Sequence, residues 1–302
     1  MIDLKRNSKK ELVPATGKRV RESSIYKPHQ DKDFKISRGK FSDFLTCQKC
    51  FYLDRVEGLD SPGTPGWTLN ETTDLLLKKE FDICREDELP HRLFKENGLD
   101  HLVPFKHDDM EKWRDSLRHG LMSRFKDTKI ILTGGVDDIW QDRRDKRLVV
   151  VDYKSQANSR SLDPESYLGD AYHEGYKVQM DFYAYLLQEM EETQDIGVAE
   201  TAYFLVCNAD READGFDGKM DFSETLIPYS WNSDWIPRKV QEMIDLMNSN
   251  EVPPGNTSCK NCAYAKKRAN FEETVLTSLH PDTKPKLVDE KVSNPNTPKL
   301  DF

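Results

Sequence analysis

Two short apolar runs separated by a polar turn form the clearest pattern in the chain. The first run, 129–140, contains an Ile-Ile-Leu stretch, and the second, 147–155, contains Leu148–Val151. The polar segment 141–146 between them indicates a turn, so the pair predicts a β-hairpin. The second run is apolar on both of its alternating faces, which is typical of a central strand covered on both sides of a sheet.

Apolar residues at helical spacing predict helices on either side of this hairpin. The predicted elements are a helix that begins after Ser37, helices near 70–85 and over 109–125 and 175–191, a late helix around 235–247, and strands at 201–207 and 222–228. This order predicts an α/β fold in which a mixed central sheet is flanked by helices.

The two ends of the chain lack this periodicity. Residues 1–33 predict a flexible basic arm, and residues 276–302, with four prolines and few apolar side chains, predict a disordered tail. The remaining segment, 34–275, is long enough for one large domain. The sequence displays neither a secretory signal nor an apolar run near the ~20 residues of a membrane span, so we expect a cytoplasmic protein.

Charge is distributed unevenly along the chain. The formal net charge is −9, which by itself argues against a nucleic-acid partner. Residues 1–40, however, contain twelve Lys or Arg and five Asp or Glu, so this segment carries +7 and the rest carries −16. A basic segment on an acidic body can contact phosphates, although a solvated tail is an equally good interpretation of residues 1–30.

Charged side chains lie at the end of the apolar second strand. Strand alternation places Asp152 and Lys154 side by side on one face, and the preceding strand returns Asp137 toward the same end. Charges next to a buried strand require a partner, a metal or a cleft. Carboxylate oxygens are ligands that Mg²⁺ prefers, and an ammonium group can orient or deprotonate a water. The alternative interpretation is a structural ion pair between Asp152 and Lys154.

Two Cys-x-x-Cys pairs flank the predicted domain core. Cys47 and Cys50 follow the first helix, and Cys259 and Cys262 lie near the end of the domain. Each pair is a short clip suited to tetrahedral metal binding. One metal bound by all four thiolates would staple the chain ends into a helical subdomain, whereas four ordinary thiols are the alternative.

Three segments together resemble the motif series of the RecB-like PD-(D/E)XK nucleases. These are Gly135-Val136-Asp137, Val150-Val151-Asp152-Tyr153-Lys154-Ser155 and Gln179-Met180-Asp181-Phe182-Tyr183. That group includes the AddB nuclease domain, the CRISPR-associated RecB-like exonucleases and enzymes of the exonuclease V type. By motif order the resemblance covers roughly residues 37–270, and it implies a restriction-endonuclease-like core.

The resemblance also implies roles for individual residues. Asp137 and Asp152, helped by the Tyr153 carbonyl, are expected to bind Mg²⁺ or Mn²⁺, with Lys154 as the catalytic lysine. Gln179 and Tyr183 are expected to line the site from the following helix, because i, i+4 spacing places them on one helical face. Simple helix packing is the alternative for this last pair.

The chain departs from the resembled family in two places. A metal-binding His on an early helix is replaced by Asp74, which can ligate Mg²⁺ or Mn²⁺ or can simply be an acidic residue in a first helical turn. In the family, one early and three late cysteines commonly hold a [4Fe–4S] iron–sulfur cluster. Here the division is two and two, which also suits Zn²⁺.

These features lead to one expected function and one alternative. We expect a Mg²⁺- or Mn²⁺-dependent, DNA-binding hydrolase that cleaves phosphodiester bonds in repair, recombination or phage defence, with a helicase as a candidate partner. The alternative is a catalytically inactive protein that keeps the nuclease fold as a nucleic-acid-binding or scaffold module. The complete Asp, Asp-x-Lys set favours the enzyme, whereas the missing His and the negative net charge favour the alternative.

Overall fold

Two β-sheets organise the protein. The computed structural model describes residues 4–63, 66–159 and 162–279, with the side chains of the last helix described through 272. The strands of this described part are β1 (Phe34–Ser37), β2 (Leu102–Pro104), β3 (Leu121–Arg124), β4 (Ile130–Gly134), β5 (Asp138–Asp142), β6 (Leu148–Gln156), β7 (Thr201–Ala209) and β8 (Phe222–Ser230).

Both sheets mix parallel and antiparallel pairs. The smaller sheet has the order β1-β4-β3, and the larger has the order β2-β5-β6-β7-β8. β1 runs parallel to β4, and β6 runs parallel to β7, whereas the other neighbours are antiparallel. The predicted α/β class with a mixed sheet flanked by helices is therefore confirmed.

Helices cover the two sheets. They are α1 (Arg38–Thr46), α2 (Gln48–Arg55), α3 (Thr68–Glu86), α4 (Arg92–Glu96), α5 (Met110–Arg114), α6 (Pro164–Gly169), α7 (Glu174–Glu189), α8 (Ile236–Asn248) and α9 (Lys260–Leu279). Ser37 caps α1 by accepting a hydrogen bond from the Lys40 N–H, as the sequence predicted. No helix in the described ranges combines the length and apolar character needed to cross a membrane.

The strand predicted over 129–140 is wrong as a single element, because the chain changes sheets within it. β4 belongs to the smaller sheet and β5 to the larger, and residues 135–137 form the break between them. Gly135 permits this break, since a Cβ at that position would lie 2.4 Å from the Ser116 Cβ. The hairpin itself is confirmed, with β5 and β6 antiparallel and Asp138 opposite Val151.

The helix predicted over 109–125 is also wrong. Helical structure ends at Arg114, and the chain then enters β3, which pairs with β4. Gly120 has a positive φ of 80°, and a Cβ there would lie 2.7 Å from the Gly134 carbonyl oxygen. The apolar residues of this segment are therefore shared between a short helix and an edge strand, a division that helical periodicity alone does not reveal.

β6 is buried on both faces, as its apolar pattern predicted. Leu148 and Val150 belong to a core that includes much of α7. Val149, Val151 and Tyr153 belong to a second core on the opposite face, where α3 packs. In α3 the buried apolar residues are Leu77 and Phe81, whereas Leu75 and Leu76 are 51% and 57% exposed.

Part of the basic N-terminal segment lies along the domain. Arg19 donates to the Asp54 carboxylate at 2.6 Å, and the buried Tyr26 donates its hydroxyl to Asn248 at 2.9 Å. Most of the predicted tail, 276–302, falls outside the described residues, and residues 276–279 continue α9. The boundaries of arm, domain and tail stay a prediction.

A buried carboxylate joins the hairpin to two helices. Asp138 is fully buried and accepts hydrogen bonds from Arg85 of α3 at 2.5 Å, Arg114 of α5 at 3.0 Å and the Tyr153 hydroxyl of β6 at 2.8 Å. Burial alone would raise the pKa of Asp138, but the two guanidinium groups lower it. The charged group therefore fixes β5 beside β6 immediately after residue 137.

We expect Asp138→Ala to destabilise the fold by about 3–5 kcal/mol, because two guanidinium groups would lose their buried counter-ion. Urea denaturation followed by circular dichroism measures the change in the free energy of unfolding. Asp145→Ala is the matched control on the same hairpin, since Asp145 is half exposed and pairs with Arg147 at 3.7 Å; its loss should be at most about 1 kcal/mol. Equal effects of the two substitutions would contradict the stabilising role of Asp138.

Candidate active site

The break between β4 and β5 brings two carboxylates to one end of the hairpin. Asp137 lies in the break, and its Oδ2 accepts a hydrogen bond from the Tyr153 backbone N–H at 2.8 Å. Asp152 precedes Tyr153 in β6 and is fully buried. The hydrogen bond therefore holds Asp137 against the strand that carries Asp152, which is the convergence that the sequence predicted.

Asp152 is held by a side chain from α7 and by its neighbour in β6. Its Oδ1 accepts a hydrogen bond from Gln179 Nε2 at 2.6 Å, and its Oδ2 forms an ion pair with Lys154. Gln179 Nε2 also donates to the Tyr183 hydroxyl at 3.2 Å. The structure thus brings Gln179 and Tyr183 together with Asp152, so their shared helical face packs on the carboxylate rather than only on apolar core.

Lys154 is enclosed between a carboxylate and an aromatic ring. Its side chain is only 16% exposed, and its ammonium lies 4.5 Å from the centre of the Tyr176 ring. A ring face attracts a cation. The ammonium is therefore positioned at the end of the strand with little conformational freedom, which suits a group that has to act on one particular atom.

Electrostatic crowding distinguishes Asp137. Burial and the nearby Asp152 carboxylate raise the pKa of Asp137 to about 7, even though Lys154, Lys78 and the Tyr153 N–H act in the opposite direction. Two neighbouring carboxylates that are shielded from water favour a shared proton or a bound cation. Hard oxygen donors of this kind fit Mg²⁺ or Mn²⁺, so the donor set agrees with the predicted metal.

Asp74 faces this site from α3. Its Oδ2 forms an ion pair with Lys78 at 2.8 Å. Burial raises the pKa of Asp74, and the charge of Asp137 contributes to the increase. Asp74 is thus near enough to interact with Asp137. Among the described residues, however, the carboxylates do not form a group of three ligands within 4.8 Å of one another. Metal binding by Asp74, and by the Tyr153 carbonyl, stays a prediction.

Three charged residues near the site were missed by the sequence reasoning. Lys78 offsets the charge of Asp137, the positive charge of Arg38 in α1 acts to lower the pKa of Tyr183, and Asp138 forms the buried network behind the hairpin. Lys78 follows Asp74 by one helical turn, and this spacing could have identified it. Arg38 and Asp138 reach their partners only through tertiary packing, so no local pattern identifies them.

A glycine makes room for the tyrosine of the site. A Cβ at Gly134, the last residue of β4, would lie 2.6 Å from the Tyr183 Cε1 atom. Any larger residue at position 134 would displace the Tyr183 ring from its present position. Gly134 therefore permits the close approach of α7 to the end of β4.

The four predicted cysteine ligands form a second cluster. Cys47 precedes α2 and Cys50 lies within it, whereas Cys259 and Cys262 lie at the beginning of α9. All four Sγ atoms lie within 4.8 Å of one another, and in the described part of the chain they form the one such group of potential metal ligands. Burial acts to raise the pKa of Cys47, but the Cys50 and Asn256 backbone N–H groups lower it to about 7, whereas burial and the neighbouring thiols raise the pKa of Cys50 and of Cys262.

Comparison of the sequence with known protein families agrees with the geometry of the site. The family model of the PD-(D/E)XK nuclease superfamily matches residues 35–266, a segment that contains the hairpin, α7 and all four clustered cysteines. A comparison with curated proteins gives no match. The matched segment is well over half of the 302 residues. The chain therefore belongs to the PD-(D/E)XK nuclease superfamily.

Proposed function

We propose that this protein is a Mg²⁺- or Mn²⁺-dependent deoxyribonuclease. One observation carries the proposal. Asp137, Asp152 and Lys154 meet at the end of a buried strand, and Asp137 and Asp152 are each held by a hydrogen bond from the neighbouring backbone or helix. Because the chain belongs to a nuclease superfamily, the reaction proposed for this arrangement is hydrolysis of a phosphodiester bond.

The proposed roles follow from the positions of the side chains. Asp137 and Asp152, with the Tyr153 carbonyl, would hold one or two divalent ions, which when bound polarise a phosphate oxygen and lower the pKa of a coordinated water. Lys154 would orient the attacking water or stabilise the negative charge that develops on the phosphate oxygens. Gln179 would keep Asp152 in its rotamer, and Tyr183 would line the site beside it.

Asp74 is proposed to take the place of the histidine that related nucleases carry on an early helix. Its electrostatic interaction with Asp137 and its position on α3 support this role. The neighbouring Lys78, which pairs with Asp74, would be displaced or would turn toward the DNA phosphate when a cation binds.

The three motif segments are the basis for proposing DNA as the substrate and membership of the RecB-like group. The net charge of +7 on residues 1–40 supports a nucleic-acid partner, because lysine and arginine displace counter-ions from phosphates. We further propose a cytoplasmic enzyme of repair, recombination or phage defence that works beside a helicase. The overall charge of −9 favours the competing candidate, a nuclease fold that binds nucleic acid without cleaving it.

We expect Lys154→Ala to lower the rate of DNA cleavage by at least about 100-fold, because the buried ammonium acts on the reacting phosphate or water. The measurement is cleavage of labelled single-stranded DNA, double-stranded DNA and RNA with Mg²⁺ or Mn²⁺. Lys129→Ala is the control, since that ammonium is about half exposed and pairs with Asp31. Full activity of Lys154→Ala would exclude the proposed site, and binding without cleavage by the wild type would favour the inactive alternative.

Asp74 can be tested by exchange with the residue that it replaces. If Asp74 binds the metal, we expect Asp74→Ala to reduce activity by roughly tenfold or more. Asp74→His should retain activity and shift the metal preference toward Mn²⁺, because imidazole suits transition metals better than Mg²⁺. If both variants cleave DNA like the wild type with either metal, Asp74 serves only to pair with Lys78 within α3, since α3 begins at Thr68 and Asp74 lies beyond its first turn.

The raised pKa of Asp137 predicts a pH dependence of stability in the absence of metal. In the unfolded chain an Asp has a pKa of about 3.9, whereas the folded value is about 7. Between these values the folded state binds the additional proton, so the free energy of unfolding falls as the pH rises and levels off above the folded pKa.

Urea denaturation in EDTA across this pH interval checks that expectation. Asp137→Asn is the control, because its amide stays neutral at every pH. The wild type should lose stability relative to this variant as the pH rises from about 4 to about 7. Parallel pH profiles for the two proteins would show that Asp137 does not titrate in this way.

A further inference from the structure

The cysteine cluster is compact. Cys50 Sγ lies 3.4 Å from Cys262 Sγ and 3.6 Å from Cys259 Sγ, and Cys47 Sγ lies 3.7 Å from Cys262 Sγ. These contacts connect the two Cys-x-x-Cys pairs, so every thiol has a neighbour from the opposite end of the domain. The thiols therefore surround one small volume.

That volume matches a single tetrahedral ion. Four thiolates at the usual Zn–S distance of about 2.3 Å occupy the corners of a tetrahedron whose edges are about 3.8 Å long. The observed Sγ–Sγ distances of 3.4–3.7 Å are close to that edge. A two-plus-two division of ligands is also common in structural zinc sites.

The same volume does not fit the [4Fe–4S] cluster that the resembled nucleases imply. In such a cluster each cysteine binds a different iron at the corner of a cube, so the four sulfur atoms lie outside it and about 6 Å apart. Here all four Sγ atoms lie within 4.8 Å of one another. The segment before α9 also lies close to the cluster, since a Cβ added at Gly255 would lie 3.1 Å from Cys262 Sγ.

Hydrogen bonds to the sulfur atoms suit thiolates that share one dication. The Asn256 N–H lies 3.5 Å from Cys47 Sγ, the Cys262 N–H lies 3.5 Å from Cys259 Sγ, and Asn261 Nδ2 lies 3.7 Å from Cys50 Sγ. Four thiolates around Zn²⁺ leave a net charge of −2. Donors from the surrounding backbone and side chain disperse that charge and orient the ligands.

We propose that Cys47, Cys50, Cys259 and Cys262 bind one Zn²⁺ ion, and that this chain has a mononuclear zinc staple where the RecB-like nucleases that it resembles commonly carry an iron–sulfur cluster. The ion would connect the beginning of α2 to the beginning of α9. The site shares no ligand with the hairpin carboxylates, so its role is structural and separate from hydrolysis. In tetrahedral coordination by four cysteines no position is open for a substrate.

The full-length protein, produced without oxygen in medium that contains both iron and zinc, provides the test. We expect elemental analysis to find about one zinc per chain and no acid-labile sulfide, and X-ray absorption to give four sulfur neighbours at about 2.3 Å. Replacement by Co²⁺ should give the intense visible bands of a tetrahedral thiolate site. About four irons with equivalent sulfide would overturn the proposal, as would a metal-free protein that contains two disulfides.

Variants distinguish the staple from adventitious zinc. Cys259→Ser and Cys262→Ser should each lose the stoichiometric zinc and lower the melting temperature, whereas Cys84→Ser, at a cysteine outside the cluster, should keep both. If a cluster variant fails to fold, removal of zinc from the wild type by a chelator gives the same comparison by circular dichroism. Zinc retained by both cluster variants would refute the assignment. These readouts do not depend on nuclease activity, so they remain decisive if the proposed function fails.

Discussion

Repulsion between Asp137 and Asp152 is the constraint around which the fold is arranged. Two carboxylates that approach each other in a partly dry site favour protonation of one of them, as the raised pKa of Asp137 indicates. The protein holds them together nevertheless, with the Tyr153 N–H on one side and Gln179 on the other. Under the proposed function, a cation bound between the two carboxylates would relieve this repulsion.

The alternating side chains of β6 place the candidate site on one face of the sheet and a buried ion-pair network on the other. Asp152 faces α7 and its polar residues, while Tyr153 points to the other face and donates to the buried Asp138. Arg85 and Arg114 complete that second network. Asp152 and Tyr153 therefore belong to different networks, because successive side chains of a strand point in opposite directions. The repulsion that involves Asp152 therefore lies on one face of β6, and the ion pairs of Asp138 with Arg85 and Arg114 lie on the other.

Local patterns were sufficient for the hairpin, for α7 and for the cysteine pairs, because each depends on the spacing of residues near one another in the chain. Patterns failed where tertiary contacts decide the structure. The change of sheet at 135–137 depends on the approach of Ser116 to Gly135, and the end of α5 depends on the pairing of β3 with β4. The electrostatic interaction of Arg38 with Tyr183 acts between the first helix and the seventh, and no short window of sequence contains both residues.

The placement of the four thiols also sets an order of events during synthesis. Cys50 and Cys259 are 209 residues apart, and the hairpin, α7 and the whole larger sheet lie between them. A growing chain on the ribosome has only half of the ligands until α9 begins to emerge, and protein segments commonly fold in the order in which they are made. A metal site made of all four thiols can therefore be completed only after both sheets and α7 have been translated, so metal binding there would follow the folding of the domain rather than nucleate it.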